Sequence, residues 1–308
     1  MSDAVLLVTF GGPWKAEEIR PFLESVVRGR GVPPARIEEV AHHYEAIGGR
    51  SPIGDLTFDQ ARALEARLRE EGPALPVRVG MRSWTPHVRD VLAELAGAGV
   101  TRVIAIVLAP HRAGGNDARY RHVIDAAVRD LGDRAPRVVV AAASWHASAG
   151  FIAANADLVA QALGGVAETE RANASLVFTA HSIPMAMASS SPYVAEIEQT
   201  ARLVAAAVGR ERWRVAYQSR SGSPQDPWLE PDINDVIREA ARSGARHVVV
   251  APIGFVCDHV EVLYDLDVEA VATAREAGVT LHRAGTVHDH PAFIGALADV
   301  VREAAREG

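Results

Sequence analysis

Two short segments carry side chains able to do chemistry. "FTAHSIP" (178–184) ends an apolar run on His181, and Pro184 stops the strand-like pattern. A histidine at a strand end is a proton acceptor near neutral pH and a ligand for ferrous iron. The plainer reading is a histidine that caps the next helix or bonds a loop carbonyl. The second segment, "PIGFVCDHVEVLYDLDVEA" (252–270), predicts a helix after a turn. On that helix Glu261, Asp265 and Glu269 share one face at four-residue steps, with Asp258 one turn earlier. Stacked like charges repel by a few tenths of a kcal/mol per exposed pair, so something should offset them. A carboxylate ladder leading into a cleft can pass hydrated cations inward or protons outward, and its oxygens suit a divalent metal held loosely. A solvated acidic face is the alternative, although Val260, Val262, Leu263, Tyr264 and Leu266 make the other faces apolar.

Three further residues join these by position. His111 closes "IVLAPH" at a strand exit and reads as lining a cleft or supporting a loop. Trp228 in "PWLEPDI" (227–233) brings a rigid apolar wall that can press on a flat ligand, or simply packs a turn before Pro231 opens the next helix. Cys257 stands beside the acidic helix as a soft ligand or, more plainly, a small buried filler.

The elements that must position these residues follow from periodicity. Apolar runs of five to eight residues alternate with helical stretches of 12 to 20, the pattern of parallel α/β architecture. The pattern also repeats. "VRDVLAELAGAGVTRVIAIVLAPH" (88–111) parallels "INDVIREAARSGARHVVVAPIGF" (233–255), "VRVGMRSW" (77–84) parallels "WRVAYQSR" (213–220), and "AVLLVTFGGP" (4–13) parallels "ASLVFTAHSIP" (174–184). Two similar doubly wound, Rossmann-like α/β domains are expected, residues 1–150 and 151–308, with a C-terminal helix able to pack back on the first. Ligands of such sheets bind beyond the carboxyl ends of the strands, where histidine recurs at three of six exits. No GxGxxG or GxxxxGK[ST] run follows any strand, so nucleotide binding has little support.

Bulk properties narrow the partners. The chain has 308 residues, 48% hydrophobic and 23% charged, with a formal net charge of −7. No basic stripe supports nucleic-acid binding, and no apolar run approaches the roughly 20 residues that span a bilayer. No secretory signal is visible, so a cytoplasmic location is expected. A single cysteine excludes an intrachain disulfide and any cysteine-only zinc or iron–sulfur site within one chain.

The segments "LLVTFGGP", "HHYEAIGGRSPI", "IVLAPH", "FTAHSIP", "YQSRSGSPQDPWLEPDI" and "PIGFVCDHVEVLYDLDVEA" resemble, in order and over residues 5 to 270, those of the ferrochelatases. The resemblance implies insertion of Fe(II), as a substrate, into a porphyrin bound between two domains, without an organic cofactor. It implies that His181 and Glu261 face each other across the macrocycle, and that Asp265 and Glu269 form an outer acidic site, making the four the metal-handling set. His43, Tyr44 and Ser51 fall on the segment that contacts propionates, with Arg28 and Arg30 nearby. His146 lies where a relative's tyrosine contacts substrate. Phe10 lies where several coproporphyrin-type relatives carry a tyrosine able to ligate product iron, unless it is a core residue under Gly11 and Gly12. The chain cannot build the four-cysteine cluster of some members and lacks the long N-terminal insertion of others. The compact "HHYEAIGGRSPI" form resembles that of the Gram-positive type of the family, whose substrate is coproporphyrin III, so coproporphyrin III is the favoured substrate and protoporphyrin IX the alternative. A monomer or weak dimer with a transient haem-acceptor protein is expected. A cobalt or sirohydrochlorin chelatase and a non-catalytic haem-binding protein of the same fold remain as other readings.

Overall fold

The computed structural model describes residues 3–29, 31–141, 144–221 and 225–306. Arg30, named above, lies outside them. The chain divides into two compact units. The first comprises Met1–Leu108, Asn116–Ala143 and Ile294–Gly308, and the second Ala109–Gly115 and Ser144–Phe293.

The first unit holds β1 (Asp3–Thr9), β2 (Val77–Met81), β3 (Arg102–Val107) and β4 (Arg137–Val140), parallel in the order β2-β1-β3-β4. The second holds β5 (Ser175–His181), β6 (Arg214–Gln218), β7 (His247–Ala251) and β8 (Thr280–Arg283), parallel in the order β6-β5-β7-β8. The shared order gives the internal duplication a structural form: three recurring sequence blocks end in β1 and β5, β2 and β6, and β3 and β7. Strands that are β-branched and buried on both faces, with helices between them, leave a parallel sheet as the stable solution.

In the second unit the period of two sorts each strand between two cores. Leu176, Phe178, Ala180, Val249 and Ala251 face Ile197, Ala201 and Val204 of the helix Tyr193–Ala207. Val177, Val248 and Val250 face Ile233, Val236 and Ile237 of the helix Ile233–Arg242, together with Val262 and Leu266. Asp232 starts that helix, its carboxylate accepting from Asn234 N–H at 2.8 Å.

The chain passes from β5 outward to β6 and then crosses to β7 on the other side. The switch point therefore lies between β5 and β7, where diverging connections leave a crevice beyond the strand ends. His181 ends β5, and the segment after β7 leads to Glu261. Gly254 makes that approach feasible. Its N–H bonds the Thr179 carbonyl at 3.0 Å, and a Cβ there would lie 2.7 Å from Ala180 Cα. No helix among the described residues is long and apolar enough to cross a membrane.

Candidate active site

His181 is held from two directions. Its Nδ1–H donates to the Ser182 carbonyl, and the Tyr193 hydroxyl donates to the carbonyl of His181 itself at 2.9 Å. With Nδ1 so engaged, Nε2 faces Glu261 Oε1 at 3.4 Å. Burial alone would lower the His181 pKa, but the charge and hydrogen bond of Glu261, the Ser182 carbonyl and Asp265 outweigh it and raise it to about 9. Burial would likewise raise the Glu261 carboxyl, and the His181 charge instead holds it well below the usual range. The resting pair is thus imidazolium and carboxylate.

The 3.4 Å contact sets the two side chains next to each other in the chain without a ligand. A flat ring needs about 3.5 Å of contact distance on each side, roughly twice the observed gap. Without a ligand the two form one ion pair.

Glu261 lies on the helix Val260–Tyr264, which continues as a π-helix over Asp265–Ala270 and returns to α over Val271–Glu276. Four-residue steps drift around a plain α-helix, and the wider π turn counters that drift. Val262, Leu266, Ala270 and Ala274 consequently all reach the core. Full burial of Val262 and Leu266 stabilises by about 1.5–3 kcal/mol each, which outweighs a few tenths for each like-charged pair. The acidic residues ride on this apolar ladder at different depths. Asp265 is buried and accepts from the Ser219 hydroxyl, Glu269 is exposed, and the Glu261 carbonyl accepts from Gln218 Nε2. Ser219 adopts a left-handed φ of 64°, a cost of roughly 1–2 kcal/mol in keeping with a side chain held for a purpose. Asp258 is not part of the ladder: the helix begins at Val260, and Asp258 turns away to Arg283 and Thr286.

Burial pushes the Asp265 carboxyl up to about 7, helped by Glu261 and Glu269 and opposed by the Ser219 hydrogen bond. The folded chain keeps this proton to near neutrality, whereas an unfolded aspartate loses it near the ordinary value of 3.8. Stability attributable to Asp265 therefore falls as pH rises between about 4 and 7, then levels off. Asp265→Asn removes that slope. Its melting temperature relative to wild type is expected to rise by several degrees between pH 4.5 and 7.5. A difference that does not change with pH would place the carboxyl in an ordinary solvated setting.

A second polar cluster adjoins the first within the same unit. His111 is buried, shares a 2.9 Å hydrogen bond between Nε2 and Thr200 Oγ1, and leaves Nδ1 without a partner among the described residues. Burial first, then His146, lowers its pKa to about 3, so it is neutral. His146 bonds Gln199 Oε1 through Nε2 at 2.9 Å and Ser144 through Nδ1. The two imidazoles lie 5.9 Å apart, and His111 meets the ring of Tyr193 edge-on at 6.3 Å. Glu196, buried beside them, accepts from the Arg112 main-chain N–H at 2.7 Å and its Nε at 2.6 Å. Glu196, Arg112 and Tyr193 were not among the expected site residues. The signal for Glu196 is an acidic residue on the apolar face of its helix, beside Tyr193, Ile197 and Thr200.

Trp228 is tied to the His181 segment. It bridges Pro184, Leu229 N–H donates to the Ile183 carbonyl at 3.0 Å, and Ser182 Oγ donates to the Leu229 carbonyl at 2.9 Å. Its indole N–H is buried without a partner among the described residues, and with Met185, Arg220 and Gln225 it lines a cavity of about 580 Å³. Cys257 is buried. Among the described residues no three His, Cys, Asp or Glu side chains converge on a metal position, so the acidic ladder is a row and not a cage.

The remaining expected residues belong to the first unit. Phe10 meets Phe22 edge-on at 6.1 Å, with the Arg82 guanidinium 4.6 Å above its ring. Tyr44 is buried against Phe22, and Ser51 is buried beside Gly12. His43 keeps part of its surface, and burial lowers its pKa.

A family model described as Ferrochelatase matches residues 2–305. The chain belongs to the ferrochelatase family. It is 43% identical over 306 residues to the coproporphyrin III ferrochelatase of Mycolicibacterium smegmatis, covering 98% of this chain and 89% of that one. It is 40% identical to a ferrochelatase of Rhodopirellula baltica, covering 98% and 86%. Among solved structures, SirB from Bacillus subtilis with Fe3+ aligns at a TM-score of 0.62 and 14% identity, covering 98% of this chain and 95% of that one. CbiX, described as the terminal enzyme of sirohaem biosynthesis in denitrifying bacteria, aligns at 0.55 and 15%, covering 98% and 99%. These two likenesses show the fold, and the closer sequence relatives show the family. This ferrochelatase is therefore an enzyme of metal insertion into a porphyrin.

Proposed function

We propose that this ferrochelatase inserts Fe(II) into coproporphyrin III, with the contact between His181 and Glu261 as the place where the ring loses its N–H protons. The observation that carries the reading is that contact, backed by Asp265 at near-neutral pKa. In the resting pair, Glu261 keeps His181 protonated and unable to act as a base. Fe(II) arriving at Glu261 neutralises the charge responsible, and burial then favours neutral imidazole. The released proton has an acceptor in Asp265 once that carboxyl is ionised, at and above about pH 7, and beyond it lies exposed Glu269. Nε2, its lone pair freed, takes the two pyrrole N–H protons one after the other as the metal enters, each leaving along the same carboxylates to solvent before the next is taken. Nδ1, bound to the Ser182 carbonyl, keeps the ring aimed during the exchange. Binding energy from the carboxylate-bearing periphery of the porphyrin can be spent on distorting the ring so that a nitrogen lone pair meets the metal.

Several relatives at 42–43% identity are named coproporphyrin III ferrochelatases, which supports that substrate for this chain. Coproporphyrin carries four propionates and protoporphyrin IX two, and one more charge-assisted hydrogen bond contributes about 1.5–3 kcal/mol. Arg28 and His43 are the expected partners with surface left to offer. Coproporphyrin III is therefore expected to exceed protoporphyrin IX at least tenfold in kcat/KM, measured anaerobically with Fe(II). A preference for protoporphyrin IX would reverse the assignment. We also read the protein as a cytoplasmic monomer or weak dimer that needs no iron–sulfur cluster and passes its product to a transient haem-acceptor protein.

A further inference from the structure

Glu261 and Asp265 lie on a segment whose two ends are gripped by one side chain from another element. Arg283, the last residue of β8, reaches Asp258 through Nη1 at 3.3 Å and Nη2 at 3.2 Å. The same guanidinium reaches Asp267 through Nε at 2.6 Å and Nη2 at 2.9 Å. Asp258 precedes the helix and is further fixed by Thr286 Oγ1 at 3.1 Å, while Asp267 sits inside the π-helical turn. In chain order the gripped carboxylates, 258 and 267, bracket the site carboxylates, 261 and 265.

The placement has a physical logic. Five carboxylates fall between residues 258 and 269, and their mutual repulsion favours spreading the segment. A π turn is rare and departs from the ordinary helical hydrogen-bond pattern, so it persists where outside contacts favour it. Val262 and Leu266 anchor the inner face. The outer face has no apolar cover among the described residues, and Asp267, Val268 and Glu269 are exposed there. Arg283 supplies that second anchor. Its side chain is only 17% exposed, and its planar fork can hold two carboxylates in fixed directions, which a lysine cannot reproduce.

We propose that Arg283 is a positioning residue for metal insertion: by clasping Asp258 and Asp267 it holds the π turn and keeps Glu261 and Asp265 in place beside His181. The proposal rests on the assignment of Glu261 to metal handling.

The test uses Arg283→Gln and Arg283→Lys in the full chain. It reads amide hydrogen exchange, porphyrin affinity by fluorescence quenching, and kcat/KM for Fe(II) at saturating porphyrin. For Arg283→Gln, exchange over residues 260–271 is expected to quicken at least tenfold while β5 and β7 keep their protection. Its kcat/KM for Fe(II) falls at least tenfold, with the porphyrin Kd within twofold of wild type. Arg283→Lys, able to engage one carboxylate at a time, falls between. Asp267→Asn opens only the far end, and is expected to quicken exchange over 265–271 alone even if Arg283→Gln proves too unstable to purify. Unchanged exchange over 260–271 would overturn the proposal, as would loosening spread evenly through the sheet or a loss for Fe(II) matched by an equal loss of porphyrin affinity. Should wild type metallate no porphyrin, the assignment of function fails, and the exchange contrast still decides whether Arg283 holds the turn.

Discussion

His181→Ala is expected to fold, bind porphyrin and turn over about 10²- to 10⁴-fold more slowly, the range that one positioned general base contributes. Folding should survive because the bond that fixes this corner, from the Tyr193 hydroxyl, reaches the backbone carbonyl of residue 181 and not its side chain. The strand beneath is also buried on both faces by Val177, Phe178 and Ala180. Chemistry should not survive. The other imidazole near Glu261 belongs to His259, with Nε2 3.9 Å from Oε2, and it starts the helix and packs its ring edge-on against Phe255 at 4.8 Å. His111 is committed to Thr200 through Nε2. Anaerobic kcat for the purified variant, alongside its melting curve and porphyrin affinity, checks the expectation. Turnover near wild type would remove His181 from the chemistry.

Glu261→Gln should lose at least about 100-fold in kcat at saturating iron, while Glu269→Gln should keep kcat within about twofold and slow only when iron is scarce. Burial then leaves the His181 imidazole neutral, but the amide has no charge with which to hold Fe(II) beside it, so the metal is not placed where the ring protons leave. Glu269 lies on the exposed side of the π turn, where loss of one carboxylate lowers the local attraction for a hydrated cation and leaves the pair intact. The contrast is read from kcat and from KM for Fe(II) in the two variants. Equal losses at saturating iron would contradict the inner and outer ordering.

The parts of this account that were legible in the sequence share a cause: each depends on local pattern. Runs of β-branched residues broken by amphipathic helices give parallel sheets, and three repeated blocks give two of them in the same strand order. His181 and Glu261 could be named because the ends of β5 and β7 flank the switch point, and their types suit proton and metal transfer. What stayed hidden depends on contacts between distant segments. Arg112 and Glu196 are 84 residues apart, and neither segment announces the other. Tyr193 reads as an apolar helix residue until its hydroxyl is seen at the His181 carbonyl. The π turn escaped because four-residue spacing of Glu261, Asp265 and Glu269 looks the same on paper for a plain α-helix. Asp258 was drawn into the ladder for the same reason, whereas Arg283, 25 residues away, decides its direction. The separation of His181 and Glu261 is likewise a tertiary quantity, and only the 3.4 Å contact shows them as one pair.

The most direct test is a single-turnover experiment. Wild-type protein and His181→Ala are each loaded anaerobically with metal-free coproporphyrin III, matched for bound porphyrin, and mixed with excess Fe(II) while absorbance is followed. The expected result is conversion to the metalloporphyrin spectrum in wild type, with the free-base spectrum persisting in His181→Ala over the same period. Metallation at the wild-type rate in His181→Ala, or a wild-type protein that holds its porphyrin metal-free, would contradict the assignment of proton removal to the His181 and Glu261 pair.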